Sequence, residues 1–385
     1  MNNMKIYDVI IIGGGAGGLK AAAELFRRKK SVLILDTGDK PARKVAISGG
    51  GKCNFTNMAA DHTHYFGKNP DFVRSALAQF SPNDILNWVK EHKIKYYEKE
   101  PGRFFCVNGA NDIVNALVND IGDTEIKFNT SVINVVKEND IFTTKTNHGD
   151  FQSKSIIIAS GGMSYPNMGV SNIGHIIAKK FGHKIEPIRP ALCAMKTKCF
   201  NSELAGISLP VEIKIGKHII NDDLLFTHFG IGGPAVYRAS LFDTKDFIIN
   251  FVPNTDIQKL LLNAKRTNGK KNLANIIAEI LPHKFARFIY GNDARNIADY
   301  KDSEIKEIAN KITKFEINDA KPIGMQSAEV TAGGVSVDKI SSKTMESLLC
   351  PKLFFVGEVM DITGDLGGFN LQWAFSSGFV AGKNA

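Results

Sequence analysis

Cysteine is scarce and badly spaced for bridging: Cys53, Cys106, Cys193, Cys199 and Cys350 make five, an odd number with no C-x-x-C pair. Neither a disulfide framework nor a zinc site follows from that pattern, and a reducing cytoplasm suits it best. Long apolar runs are missing too. No stretch nears the roughly 20 apolar residues that span a bilayer. The short run Val9–Ile12 passes straight into glycine without a small-residue cleavage site, so it reads as a buried strand and not as a signal peptide. No metal and no membrane partner is expected. The basic runs Arg27–Lys30 and Lys265–Lys271 contain no interleaved aromatic residue for stacking on bases. They read as solvated helix ends and loops, which disfavours a nucleic-acid surface. Internal repeats and low-complexity tracts are absent, and no feature fixes an oligomeric state.

The 385 residues are enough for two or three domains of about 100–200 residues. Lys and Arg exceed Asp and Glu by 48 − 39 = 9, a bias toward anionic partners that names none of them.

The N-terminus carries the strongest local signal. An apolar run over 7–12 is followed by Gly13-Gly14-Gly15-Ala16-Gly17-Gly18, an alanine-rich helical stretch over 19–28, and a second apolar run over 31–35 that ends in Asp36. This is a βαβ unit with G-x-G-x-x-G at its first turn and an acid about 20 residues on, the dinucleotide-binding fingerprint in its required context. Gly13 permits the tight turn, Gly15 lets the backbone approach a pyrophosphate, and Gly18 lets helix and strand pack closely. Ala16 and Gly17 open the helix, whose N-terminus favours an anion. Asp36 is placed to hold ribose hydroxyls.

Residues 125–159 read as a β-meander: a strand over 125–136, a turn at 138–140, a strand over 141–146, a turn at 147–149, and a strand over 151–158 that returns to the nucleotide sheet. It ends in Ala159-Ser160-Gly161-Gly162, where small residues again admit close approach. A similar stop follows the strand over 353–356, at Gly357-Glu358, before a helix from about Asn370 to Ala381. Between these parts, residues 191–255 alternate as antiparallel strands do, and 256–314 follow a helical pattern. The expected organisation is α/β: a Rossmann-like, three-layer nucleotide domain with a parallel sheet and a meander, built from 1–190 and 326–385. It is interrupted by an inserted domain, 191–325, with a β-barrel-like part and a helical part.

Five stretches resemble one family: "IIIGGGAGGLKAA", "ARKVAISGGGKCNFTN", "IIASGGMSYPNMGVSNIGH", "AEVTAGGVSVDKI" and "LFFVGEVMDITGDLGGFNLQWAFSSGFVAG". The chain resembles the aminoacetone-oxidase-like (BaiN-type) FAD-binding flavoproteins, whose nucleotide domain is similar to that of glutathione reductase. The insert matches mainly through "LFTHFGIGGPAV". The resemblance implies non-covalent FAD. It lays the cofactor along Arg43, Lys44, Ser48, Gly49, Gly50, Gly51, Cys53, Asn54 and Thr56, with Thr37 beside Asp36 and Val132 in the meander as further contacts. Ala159, Ser160 and Gly161 line it from the meander's end. It places Gly357, Glu358, Gly368, Asn370, Leu371 and Gln372 toward the reactive end. Members of the glutathione-reductase type often carry Asp where this chain has Glu358. Cys53 reads either as a small cofactor-lining residue or as a reactive thiol, and no resolving cysteine stands beside it.

The resemblance implies an FAD-dependent oxidoreductase acting on a small molecule. Either a small amine such as aminoacetone is oxidised with O2 as acceptor, or NAD(P)H reduces a carbonyl or an activated alkene. No second complete G-x-G-x-x-G follows a strand, so any nicotinamide binds transiently over the flavin. His228 and Tyr165 are the titratable candidates for catalysis. Two further readings are a nucleic-acid-associated, tRNA-modifying-like flavoprotein, motivated by the +9 charge, and a flavin-bearing redox sensor without turnover.

Overall fold

The computed structural model describes residues 5–385 except Pro101, Asn292 and Ala294. These divide into two compact units, Met1–Pro190 with Ala328–Ala385, and Ala191–Ser327. No described helix is long and apolar enough to cross a membrane.

The first unit is built on a seven-stranded sheet. Ile6–Ile12 lies at its centre, parallel to Val32–Leu35 on one side and to Gly149–Ile158 on the other. Val9–Ile12, Val32–Leu35 and Ile156–Ile158 are buried on both faces, which is why these stretches are continuous runs of Ile, Leu and Val and do not alternate. Gly149–Ile158 serves two partners in turn. Its first half pairs antiparallel with Ile141–Thr146, and its last three residues pair parallel with Leu353–Phe355. The stretch expected as one strand over 125–136 is two. Glu125–Lys127 joins the parallel edge beside Val32–Leu35, and Val132–Glu138 begins the meander.

Helix Ala16–Arg27 packs along the C-terminal helix Phe369–Asn384. Small residues set their separation: a Cβ on Gly378 would lie 2.4 Å from Gly17 O, and one on Gly382 2.5 Å from Ala21 O. A three-stranded sheet, Asn54–Asn57, Arg103–Cys106 and Tyr96–Glu100, covers the loop that follows the second strand.

In the second unit the strands form one antiparallel sheet. Its order runs Phe315–Ile317, Phe247–Asn250, Ser208–Ile215, His218–Thr227, Gly230–Gly232, Met195–Lys196, Lys321–Pro322. Among the described residues that order is an open path, with no pairing between its first and last strands. Helices Ile257–Thr267, Leu273–Ile277, His283–Tyr290 and Asp302–Thr313 fill the region read as helical. Their apolar faces close over an aromatic core in which the Phe226, Phe251 and Phe285 rings lie 4.5–6.3 Å apart. "FGIGGPA" forms an antiparallel strand and a short helix, outside any parallel sheet.

Candidate cofactor and active site

Four segments of the first unit meet where the parallel strands end. Gly13 has φ +108, and a Cβ there would sit 2.3 Å from Ala159 O; a Cβ on Gly18 would sit 2.0 Å from Gly13 O. The fold itself excludes side chains at both positions. Gly15 is different. It caps helix Ala16–Arg27 in an extended conformation with no side-chain partner, and a Cβ there would meet nothing within 4 Å. The turn is held from below by Asp36, whose Oδ2 accepts from Gly14 N–H and Oδ1 from Gly38 N–H, each at 2.6 Å, with Arg43 at 3.7 Å. Each carboxylate oxygen keeps a further lone pair for a ribose hydroxyl. Thr37 Oγ1 donates to Gly169 O (2.7 Å), and Val132 is buried at the start of its strand.

Ala42 N–H donates to Gly14 O (2.8 Å) and brings the next segment alongside. Within it Gly49, Gly50 and Gly51 stand at φ +56, +65 and +80. A left-handed residue with a Cβ costs about 1–2 kcal/mol, so three in succession require glycine. Gly50 and Gly51 face open space, as does Gly161 after the meander.

Cys53 does not face that space. It is fully buried, and its partner is Cys106 from the strand Arg103–Cys106, whose own N–H donates to Lys52 O at 2.8 Å. A hydrogen bond from the Cys106 thiol draws the Cys53 thiol below its usual range and pushes Cys106 up. The reading that Cys53 lacks a nearby cysteine is corrected: strand pairing supplies one that spacing along the chain does not reveal. Thr56 and Gln372 are also fully buried, bonded to one another through Thr56 Oγ1 and Gln372 Oε1. They brace the site from within.

Glu358 is more committed than its position after a glycine suggests. Its Oε2 accepts from Lys44 Nζ (2.7 Å), and its Oε1 accepts from Thr331 N–H (2.8 Å) and Ser164 Oγ (3.3 Å). Lys44 also donates to Ser164 Oγ at 2.6 Å. Ser164 and Thr331 were not singled out from sequence. Thr331 lies within the matched stretch "AEVTAGGV", but only the fold shows that its hydroxyl accepts from Met163 and Ser164 N–H. Ser160 is turned away, toward Gly174. Arg43 and Ser48 flank Lys44 and the glycines on the same loop.

The last segment closes on the second. Gly368 has φ +95, and a Cβ there would lie 2.6 Å from Thr56 O. The Asn54 amide, with its oxygen toward the helix start, accepts from Gly368 N–H at 3.2 Å. No side chain caps helix Phe369–Asn384. Asn370 instead ties back to Gly364 through both its amide atoms (2.8 and 2.9 Å), and Leu371 is half-buried on the first turn. Tyr165 sits half-buried at φ +57 where the loop after Ser164 begins. His228 is exposed in the second unit, between His218–Thr227 and Gly230–Gly232.

Asp361 lies in this last segment, 5% exposed, with Lys68 N–H on its Oδ2 at 2.9 Å. Burial raises its carboxyl, Glu186 adds to the rise, and Lys68 and Arg189 oppose it. The folded chain therefore holds this proton more tightly than the unfolded chain, and ionisation costs stability above the raised value. Asp361→Asn is expected to raise the Tm of the flavin-free protein at pH 8. The gain shrinks as pH falls toward the ordinary carboxylate value of about 3.9. Thermal unfolding of both proteins across pH checks this; a gain that grows on acidification contradicts it.

The parallel sheet, the fingerprint turn and its acid, and the open space beside Gly15, Gly50, Gly51 and Gly161 define an FAD-binding Rossmann oxidoreductase. The chain belongs to the family described as HI0933-like protein Rossmann domain, which it matches over residues 7–384. It is similar to a ribosomal RNA dihydrouridine synthase of Haemophilus influenzae, 40% identical over 389 residues that cover 96% of each chain. A ribosomal RNA dihydrouridine synthase of Escherichia coli is 34% identical, over 99% of this chain and 98% of that protein. A 3-dehydro-bile acid delta(4,6)-reductase of Clostridium scindens is 28% identical over 97% and 98%. The solved 3-ketosteroid-delta4-(5alpha)-dehydrogenase of Rhodococcus jostii RHA1 matches with a TM-score of 0.50 at 12% identity, over 100% of this chain and 97% of that one, a likeness of fold.

Proposed function

We propose that this protein reduces uridine to dihydrouridine in ribosomal RNA, using non-covalent FAD recharged by NAD(P)H. The observation that carries the reading is the pair of full-length relatives at 40% and 34% identity that bear that name. The third relative, at 28%, is named for a different substrate but a kindred reaction. Both names describe hydrogen added across a ring carbon–carbon double bond. In uridine, the C5=C6 bond takes up a hydride equivalent and a proton, and NAD(P)H restores the electron pair.

Bound FAD supplies the hydride chemistry. The chain's part is to hold and shield it. Gly13–Gly18 and the start of helix Ala16–Arg27 receive the pyrophosphate, and Asp36 takes the ribose hydroxyls. Lys44, kept in place by Glu358 and Ser164, supplies positive charge beside the glycines, and the uncapped start of helix Phe369–Asn384 favours negative charge near it. Oxidation of a small amine such as aminoacetone, suggested by motif resemblance, is the competing reading. Anaerobic mixing separates them. Reduced protein is expected to be reoxidised by unmodified ribosomal RNA, and oxidised protein is expected to keep its colour with aminoacetone. Bleaching by aminoacetone and inertness toward RNA would overturn the proposal.

A further inference from the structure

The positive charge of this chain is concentrated in one place. Residues 257–290 hold seven Lys and Arg against a single acid, Glu279, a net of +6 out of +9 for all 385 residues. That acid is already paired with Lys271, and Lys265 is paired with Asp302. Exposed as well are Lys259, Arg266 and Lys270 on or just after helix Ile257–Thr267, and Lys284 on helix His283–Tyr290, where Arg287 is also solvent-facing.

Helical geometry puts these charges on one side of each helix. Lys259 and Arg266 are seven residues apart, two turns, so they share a face, and it lies opposite the buried Ile257 and Leu261. Lys284 and Arg287 lie opposite the buried Phe285 and Ala286. The apolar side of both helices is spent on the core of the second unit. Neither helix has an apolar face left to sink into a lipid interface, as a membrane-lying helix requires. A basic outer face over a filled inner face fits a polyanion read through its backbone.

We propose that the outer faces of helices Ile257–Thr267 and His283–Tyr290 grip the phosphate backbone of the RNA substrate. This rests on the ribosomal RNA reading above. Phe285 is buried in the core, and Phe288, half-buried on the Lys284 side of the helix, packs its ring against Phe200 and Phe285 at 5.6 and 6.1 Å, so these two rings are turned to the core and not to a base. The contact is therefore electrostatic and indifferent to base sequence, and selection of the uridine happens elsewhere.

The test compares the flavin-loaded wild type with the Lys259→Glu, Arg266→Glu, Lys270→Glu, Lys284→Glu quadruple variant, binding an unmodified ribosomal RNA transcript over a range of salt. The variant is expected to bind on the order of tenfold or more weakly near 0.1 M salt, with a log–log salt slope smaller by roughly three to four. Its flavin absorbance and Tm should stay at the wild-type values. Equal affinity and equal slope would overturn the proposal, as would wild-type binding to phosphatidylglycerol vesicles that matches its binding to RNA. A wild type that binds RNA through these residues but forms no dihydrouridine leaves the surface standing and refutes the substrate reading. A wild type that does not bind RNA refutes both.

Discussion

Gly15→Val should give a folded protein without flavin. Gly15 is extended, at φ −81 and ψ −171, a conformation any residue adopts, and a Cβ there meets no atom within 4 Å. The valine therefore fits the flavin-free chain, whose Tm should change by no more than about 1–2 °C. Its methyl groups occupy the space where the backbone must approach the pyrophosphate. Affinity for FAD is expected to fall on the order of a thousandfold, about 4 kcal/mol. Absorbance of the purified variant and titration of the apoprotein with FAD measure the loss. Full flavin occupancy would mean that the cofactor does not lie on this turn. The neighbouring glycines make the control: at Gly13 and Gly18 an added Cβ strikes backbone 2.3 and 2.0 Å away, so substitution there damages the fold itself.

Asp36→Ala should lose both cofactor and stability. The carboxylate holds Gly14 N–H and Gly38 N–H, and hydrogen bonds to a charged group are worth about 1.5–3 kcal/mol each. Without it two backbone donors lose their partner and the glycine turn loses its anchor. FAD affinity is expected to drop on the order of a hundredfold, about 2.8 kcal/mol. The Tm of the flavin-free chain should fall as well, which separates this variant from Gly15→Val. Asp36→Asn should do little better, because only one of its two atoms still accepts. Wild-type Tm in Asp36→Ala would show that the carboxylate faces the ligand alone and does not brace the turn.

Local pattern made the nucleotide sheet readable. Ile6–Ile12, the glycine turn and Asp36 are contiguous, and each announces its neighbour. The limits appear where distant segments meet. The run over 125–136 reads as one strand by its apolar content, although Asn129-Thr130-Ser131 is a turn-forming cluster and Asn129 stands at φ +53 in the break. The break exists because Glu125–Lys127 pairs with Val32–Leu35 while Val132–Glu138 pairs elsewhere. Cys53 seemed solitary because Cys106 reaches it only through the sheet of Asn54–Asn57 and Arg103–Cys106. Glu358 reads from sequence as a cofactor contact toward the reactive end, and only the fold shows that Lys44, Ser164 and Thr331 come from three other segments to hold it. The basic run Lys265–Lys271 read as solvent-facing loop. Its weight becomes visible only when the second helix, with Lys284 and Arg287, is added and the single acid between them is seen to be paired.

Reduction of uridine by the bound flavin can be measured without assuming a physiological donor. The flavin of the purified protein is reduced by light under argon with EDTA as the sacrificial electron donor, unmodified ribosomal RNA is added, and the RNA is then digested for nucleoside mass spectrometry. About one dihydrouridine is expected for each flavin reoxidised, since each reduction consumes one electron pair. A flavin that stays reduced, or that reoxidises while the RNA contains no dihydrouridine, would contradict it.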